Sequence, residues 1–106
     1  MTYRVSLTQD AHADLLRLYD FILERELARP GGGDLTIGER AIAAIQDGLV
    51  TLRSSPFTCR MAAESPFLRE LVIPFGATGY VALFEIAGPD RVVIAAVRHQ
   101  REDDYH

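Results

Sequence analysis

Tyr3-Arg4-Val5-Ser6-Leu7 alternates apolar and polar side chains with period two, the pattern of a short half-buried strand. The period then lengthens. Leu15, Leu18, Tyr19 and Ile22 recur at helical spacing, behind a Thr8 whose hydroxyl can cap free backbone N–H groups and an Asp10 placed where the helix dipole favours an acid. Together they predict a helix from about Gln9 to Leu27. Pro30-Gly31-Gly32-Gly33 cannot continue it, because proline lacks a donor and glycine loses most backbone entropy, so this stretch predicts the loop of a helical hairpin. Thr36-Ile37-Gly38-Glu39 matches the reciprocal capping box, and Ile37, Ala41, Ile45, Leu49 and Leu52 follow as one apolar stripe. The second helix should end before Ser54-Ser55-Pro56.

Residues 54 to 66 carry two prolines and no sustained period, which predicts a connecting loop. Phe67 to Ile73, Tyr80 to Ile86 and Arg91 to Val97 are β-prone runs separated by Pro74 to Gly79 and by Ala87 to Asp90. Connections that short require antiparallel neighbours. The predicted class is therefore α+β, in the order β-α-α-β-β-β: an N-terminal strand, a helical hairpin, then an antiparallel three-stranded meander with helices against one face. Leu16 and Leu23 lie to the side of the first helix's stripe, so its apolar surface is wider than one core contact needs and invites cover from the second helix or a partner.

A chain of 106 residues with 48% hydrophobic content can bury one core, so residues 1–106 are expected to form a single domain. The apolar runs are broken by charge well before a membrane span, and the start has no basic region followed by an apolar stretch. No membrane association is expected. Cys59 is the only cysteine, which rules out an internal disulfide and fits a reducing cytoplasm. The formal net charge is −4 and all 11 basic residues are arginine. That balance argues against indiscriminate nucleic-acid binding, and no direct binding to DNA is expected of the chain alone. Arginine nevertheless suits bidentate phosphate and carboxylate contacts, so a local cluster would matter after folding.

No phosphate loop, dinucleotide fingerprint, zinc spacing or nucleophile elbow is present, and no cofactor is expected. A metal site would have to gather His12, Cys59, His99 and His106 from four distant segments. Cys59 has Arg60 beside it but no evident base. Glu24 and Glu26, like Glu102, Asp103 and Asp104, read as solvated surface. The informative stretch is the end, Arg98-His99-Gln100-Arg101-Glu102-Asp103-Asp104-Tyr105-His106, which an apolar strand delivers to one rim of the sheet. By simple alternation Arg98 shares a face with Val92, Ile94 and Ala96, and His99 shares the other with Val93, Ala95 and Val97, so one of the two points toward the helices. Two roles suit the stretch. Arg98 and Arg101 can pair with Glu102 to Asp104 and fasten the tail, or Arg98, His99, Arg101 and Tyr105, with His106, can form a patch that grips phosphate or an acidic protein surface.

The opening Tyr-Arg-Val-Ser-Leu-Thr-Gln-Asp-Ala-His-Ala-Asp-Leu-Leu-Arg-Leu-Tyr-Asp-Phe-Ile, with Asp14-Leu15 and Tyr19 ahead of Ile22, resembles the ParE and RelE pattern of a strand and a Thr/Ala helix start. The close, Val-Val-Ile-Ala-Ala-Val-Arg-His-Gln-Arg-Glu-Asp-Asp-Tyr, is similar to that family's last strand and its His-Arg-Arg-type ending. With the helical hairpin and meander between them, the resemblance to the RelE/ParE toxins of bacterial type II toxin–antitoxin pairs spans nearly the whole chain. It implies a toxin, of the kind also called a plasmid stabilisation protein, neutralised by a cognate antitoxin that would cover Leu16 and Leu23. ParE-like members bind and block DNA gyrase, and a chain of that kind would meet it through Arg98, His99, Arg101, Tyr105 and His106 without being an enzyme. RelE-like members are endoribonucleases that cleave mRNA on the ribosome, for which Arg98, His99, Arg101 and Tyr105 would be the catalytic set. The RelE ending relies on several basic residues, commonly Lys and Arg, whereas this chain has no Lys and is acidic overall. The resemblance therefore implies gyrase before the ribosome.

Overall fold

The computed structural model of the chain describes residues 2–101. Strand β1 (Arg4–Leu7) leads into helix α1 (Gln9–Leu27) and helix α2 (Ile37–Val50), and a 3-10 turn, Thr51–Arg53, extends α2. The remainder is strand β2 (Arg60–Met61), β3 (Leu68–Phe75), β4 (Thr78–Ile86) and β5 (Arg91–His99). The five strands form one sheet in the order β1-β5-β4-β3-β2, and only the β1–β5 pair is parallel. The α+β class, the N-terminal strand, the helical hairpin and the antiparallel meander match the expectation. The predicted loop of residues 54 to 66 is more ordered than its composition suggests, holding a 3-10 turn at Pro56–Thr58 and the short edge strand β2 against β3.

Helix α1 begins where its cap chemistry says it should, with the Thr8 hydroxyl accepting from the Ala11 N–H at 3.1 Å. The second helix departs from prediction. Thr36 makes no side-chain cap, and Asp34 does the work, its carboxylate accepting from the Thr36 N–H at 2.9 Å and the Thr36 hydroxyl at 2.6 Å and pairing with Arg40 at 2.6 Å. Asp34 draws the Thr36 hydroxyl to itself as a donor, away from the N–H groups that the capping box would have used. Those donors hold the Asp34 carboxyl below the usual carboxylate range, the Thr36 hydroxyl contributing most. The meander's first turn is tighter than the six-residue loop predicted: Phe75 pairs with Thr78, leaving Gly76 and Ala77 as a two-residue connection with Gly76 at a φ of 60°. Gly79 follows because a Cβ there would stand 2.4 Å from the Ile73 carbonyl oxygen.

Both helices cover one face of the sheet. Leu18 and Ile22 of α1 and Ala41, Ile45 and Leu49 of α2 bury themselves over Ile73, Tyr80, Ala82, Phe84, Ile86, Val92, Ile94 and Val97. Of the predicted stripes, Leu18, Ile22, Ala41, Ile45, Leu49 and Leu52 are core, whereas Leu15, Tyr19 and Ile37 are half-buried at its margin, and α2 closes on β3 where Gly48 meets Ile73. Tyr80 is 4% exposed, and burial pushes its phenol above the ordinary value of 10.0, with Arg25 opposing the shift.

Ile45 is fully buried, so Ile45→Ala is expected to lower the unfolding free energy by about 2 to 5 kcal/mol, read from urea midpoints at constant slope. Tyr80 generates an alkaline effect. Its folded pKa lies above its unfolded one, so its contribution is complete below the unfolded value and is lost as pH rises through the folded value. Stability should fall as pH rises above about 10, and Tyr80→Phe should flatten that part of the curve.

Candidate functional site

The end of β5 is re-aimed by one irregularity. Leu83 pairs with Ala96 but Phe84 pairs with Ile94, so Ala95 is an extra residue, a β-bulge, and the faces of β5 exchange at that point. Before the bulge Val92 and Ile94 face the helices, and after it Val97 does. His99 follows Val97 on this side, opposite Tyr80, and Arg98 emerges on the other side opposite Val81. Simple alternation had grouped His99 with Val93, Ala95 and Val97, and Arg98 with Val92, Ile94 and Ala96; the extra residue keeps His99 with Val97 and Arg98 with Ala96 and breaks the rest.

The outer edge of β5 beyond the bulge has no strand beside it, because the β1 pairing stops at Leu7 opposite Ile94. Helix α1 supplies the missing partners. The Thr8 N–H donates to the Ile94 carbonyl at 3.0 Å, the Thr8 hydroxyl donates to the Ala95 carbonyl at 3.2 Å, and the Val97 N–H donates to the Asp14 carboxylate at 2.9 Å. Asp14 is buried, with Arg17 at 3.8 Å.

His99 is held at both nitrogens. The Arg101 N–H donates to Nδ1 at 3.1 Å, so the neutral ring carries its proton on Nε2, which lies 3.0 Å from the Thr78 hydroxyl. Its ring stands edge-on to Tyr80 at 5.6 Å, and Tyr80 contacts Phe75 at 6.2 Å. His99 and Arg101 thereby join one wall of a cleft of about 750 Å³ between α1 and the β3–β4 hairpin. Arg17, Arg25 and Arg29 of α1 and its C-terminal loop form the opposite wall, with Phe21 between them. Four of the 11 arginines therefore converge on one cleft of an acidic chain.

Glu26 organises that wall. The expectation of a solvated acid holds for Glu24, which is exposed, and fails for Glu26, which is 1% exposed. One of its oxygens, Oε2, receives the Nε of Arg25 at 3.3 Å and of Arg29 at 3.1 Å, and Oε1 accepts the Asp34 N–H at 3.0 Å. The carboxylate enters the interior because three donors replace its water. Gly33 lets the loop close over it, since a Cβ there would lie 2.7 Å from Oε1. Sequence spacing contained a usable signal: Glu26 falls four residues after Ile22 on the buried stripe, between two arginines.

The other predicted residues are dispersed. Arg98 stands 4.0 Å from Glu70, which also pairs with Arg60 at 3.1 Å, and its guanidinium donates to the His99 and Gln100 carbonyls. Tyr105 and His106, like Glu102 to Asp104, lie outside the described residues. Leu16 is 58% exposed and lines a shallow groove of about 400 Å³ with Leu15 and Tyr19 of α1 and Ile42 of α2. Leu23 is half-buried and stands apart from that groove. Cys59 is half-buried, and desolvation pushes its thiol above the ordinary value despite the opposing charge of Arg69, the reverse of what an attacking thiolate needs.

Comparison with known proteins agrees with this architecture. The family model described as the ParE toxin of type II toxin–antitoxin system, parDE, matches residues 5–104. The protein named Toxin RelE3 of Caulobacter vibrioides is 35% identical over 98 residues, covering 92% of this chain and 95% of that protein. A solved structure titled as a chromosomal ParDE toxin–antitoxin system from P. aeruginosa superposes with a TM-score of 0.68 at 19% identity, over 92% of this chain and 96% of that one, a likeness of fold. By the extent of the family match and the identity to its relative, the chain belongs to the ParE toxin family of type II toxin–antitoxin systems.

Proposed function

We propose that this toxin acts in the cytoplasm by binding DNA gyrase and blocking it, through His99 and Arg101 together with Tyr105 and His106 further along the sequence, and that a cognate antitoxin neutralises it. The observation that carries this reading is the separation of Arg98 from His99 on opposite faces of β5. A ribonuclease acting through Arg98, His99, Arg101 and Tyr105 needs a base, an acid and a cation converging on one phosphodiester. Here Arg98 faces Glu70 across the sheet, and both nitrogens of His99 are engaged by Arg101 and Thr78. Such a rim suits adhesion, in which several side chains share the contact, better than proton transfer. No helix among the described residues is long and apolar enough to cross a membrane.

The exposed Leu16 groove supports a second surface on the same molecule. An antitoxin segment laid along α1 and α2 would cover Leu16 and its neighbours in a groove that shares no lining residue with the cleft. The kinship to Toxin RelE3 makes an mRNA endoribonuclease the second reading.

Purified gyrase and programmed ribosomes distinguish the two. The wild-type toxin should inhibit supercoiling and leave ribosome-bound mRNA intact, and deletion of Arg101 to His106 should abolish inhibition while the remaining chain stays folded. His99→Ala should weaken gyrase binding by less than about 2 kcal/mol, as one member of a shared contact. Cleavage of mRNA that falls about a hundredfold in His99→Ala, with supercoiling untouched, would reverse the assignment. For the second surface, Leu16→Asp should leave thermal stability unchanged, because the side chain is already exposed, and weaken antitoxin binding about tenfold or more. Unchanged affinity would remove Leu16 from the antitoxin interface.

A further inference from the structure

The arginines of the cleft between α1 and the β3–β4 hairpin are in register with the end of β5. Arg17, Phe21, Arg25 and Arg29 recur every fourth residue along the α1 wall, and Arg101 stands on the opposite wall. Among the described residues that line the cleft there is no aspartate or glutamate. The acids that serve this wall approach from behind: Asp14 lies beside Arg17, and Oε2 of Glu26 is shared by the Nε of Arg25 and of Arg29. Both acids are buried, whereas the three arginine side chains are about half exposed. Two guanidiniums gathered on one carboxylate oxygen repel each other, and a further carboxylate in front of them relieves that repulsion. Guanidinium also offers such a group more donors than Nε alone.

The sequence carries three acids to this place. Helix α1 and β5 run in the same direction, since Thr8 meets Ala95 and Asp14 meets Val97. Past that point the helix rises about 1.5 Å per residue, which puts Arg25 about 16 Å and Arg29 about 22 Å beyond Asp14. An extended chain advances about 3.3 Å per residue, so Glu102 and Asp104, outside the described residues, can reach at most about 16 Å and about 23 Å beyond Val97. Glu102, Asp103 and Asp104 can thus come level with the arginine stripe, and a turn moves them back only toward Arg17. At the last described residue the chain is directed to this side: the Arg101 N–H is bonded to the ring of His99, and the Arg101 side chain lines the cleft. On the opposite face Arg98 stands beside Glu70, where the same acids would meet a carboxylate as well as a guanidinium.

We propose that the arginine stripe of α1 is the seat of the chain's own acidic segment, Glu102-Asp103-Asp104, which pairs with Arg17 and Arg25 across the cleft and closes it to other anions. Asp14 and Glu26 are positioning residues that hold the guanidiniums from behind. The docked segment would set Tyr105 and His106 close to His99, where the gyrase reading needs them, but the docking itself does not depend on that target.

Zero-length carbodiimide cross-linking tests the docking, because the chain contains no lysine and each variant then carries one lysine amine besides the N-terminal amine. Arg17→Lys and Arg25→Lys keep the positive charge beside Asp14 and Glu26, which are 3% and 1% exposed and poorly open to the reagent. In both variants mass spectrometry should find the new amine joined, within one chain, to residues 102 to 104. The yield should exceed the same product in Arg4→Lys by about tenfold or more, since a short tether raises the local concentration of the carboxylates. Arg4→Lys should instead join Asp90, which lies 3.7 Å from Arg4. The tail products should fade at about 1 M salt, where the Debye length is about 3 Å. A second measurement keeps every arginine. Glu102→Gln, Asp103→Asn and Asp104→Asn combined should hold to immobilised heparin at higher salt than a charge-matched control, Asp47→Asn, Glu64→Gln and Glu85→Gln combined, whose acids are exposed elsewhere. Neither measurement contains gyrase, so failure here is distinguishable from failure of the target reading. Tail products at residue 98 in Arg98→Lys in place of residues 17 and 25, products only between chains, yields indifferent to salt, or equal heparin retention of the two triple variants would each overturn the proposal.

Discussion

The hydrogen bond from the Val97 N–H to the buried Asp14 carboxylate joins the first helix to the last strand. Strand β5 is the second strand of the sheet and has to satisfy backbone groups on two edges, yet β1 runs out opposite Ile94. A buried N–H or C=O left without a partner costs about 1 to 3 kcal/mol, so a strand continuing past its neighbour needs another source of donors and acceptors. Thr8 and Asp14 provide it from the first two turns of α1. The axial position of α1 over the sheet is thereby set, and with it the placement of Arg17, Phe21 and Arg25 one, two and three turns further along. The cleft is the space left between that helix and the hairpin.

Much of this was readable from side-chain period alone, because the two helices bury narrow stripes whose spacing has no rival interpretation. Ile45 and Leu49 on α2, and Leu18 and Ile22 on α1, are core in the structure for the reason they repeat in the sequence. Short-range chemistry was less legible. Asp34 displaced Thr36 as the cap because competition between two nearby acceptors is settled by loop geometry, which the motif does not encode. The parallel pairing of β1 with β5 joins residues at the two ends of the chain and leaves no local mark.

The site was legible as a neighbourhood and not as a constellation. The polar ending after an apolar strand pointed to the stretch whose His99 and Arg101 line the cleft, but period-two reasoning fails across a bulge, and the grouping of Arg98 with Val92 and Ile94 does not hold. Glu26 was missed because acids default to the surface. Its burial becomes intelligible once Arg25, Arg29 and the Asp34 N–H are seen to surround it.

The extra residue at Ala95 takes up one residue more on β5 than β4 can pair, so the pairs beyond it, Ala82 with Val97 and Tyr80 with His99, follow the alternation that β4 imposes. Removing that residue would restore plain alternation and leave His99 on the helix side and Arg98 on the other. Kept at its present length but paired without the bulge, the strand would instead set Arg98 opposite Tyr80 and turn both side chains over. The bulge thus absorbs a change of length that would otherwise send every side chain beyond it to the opposite face.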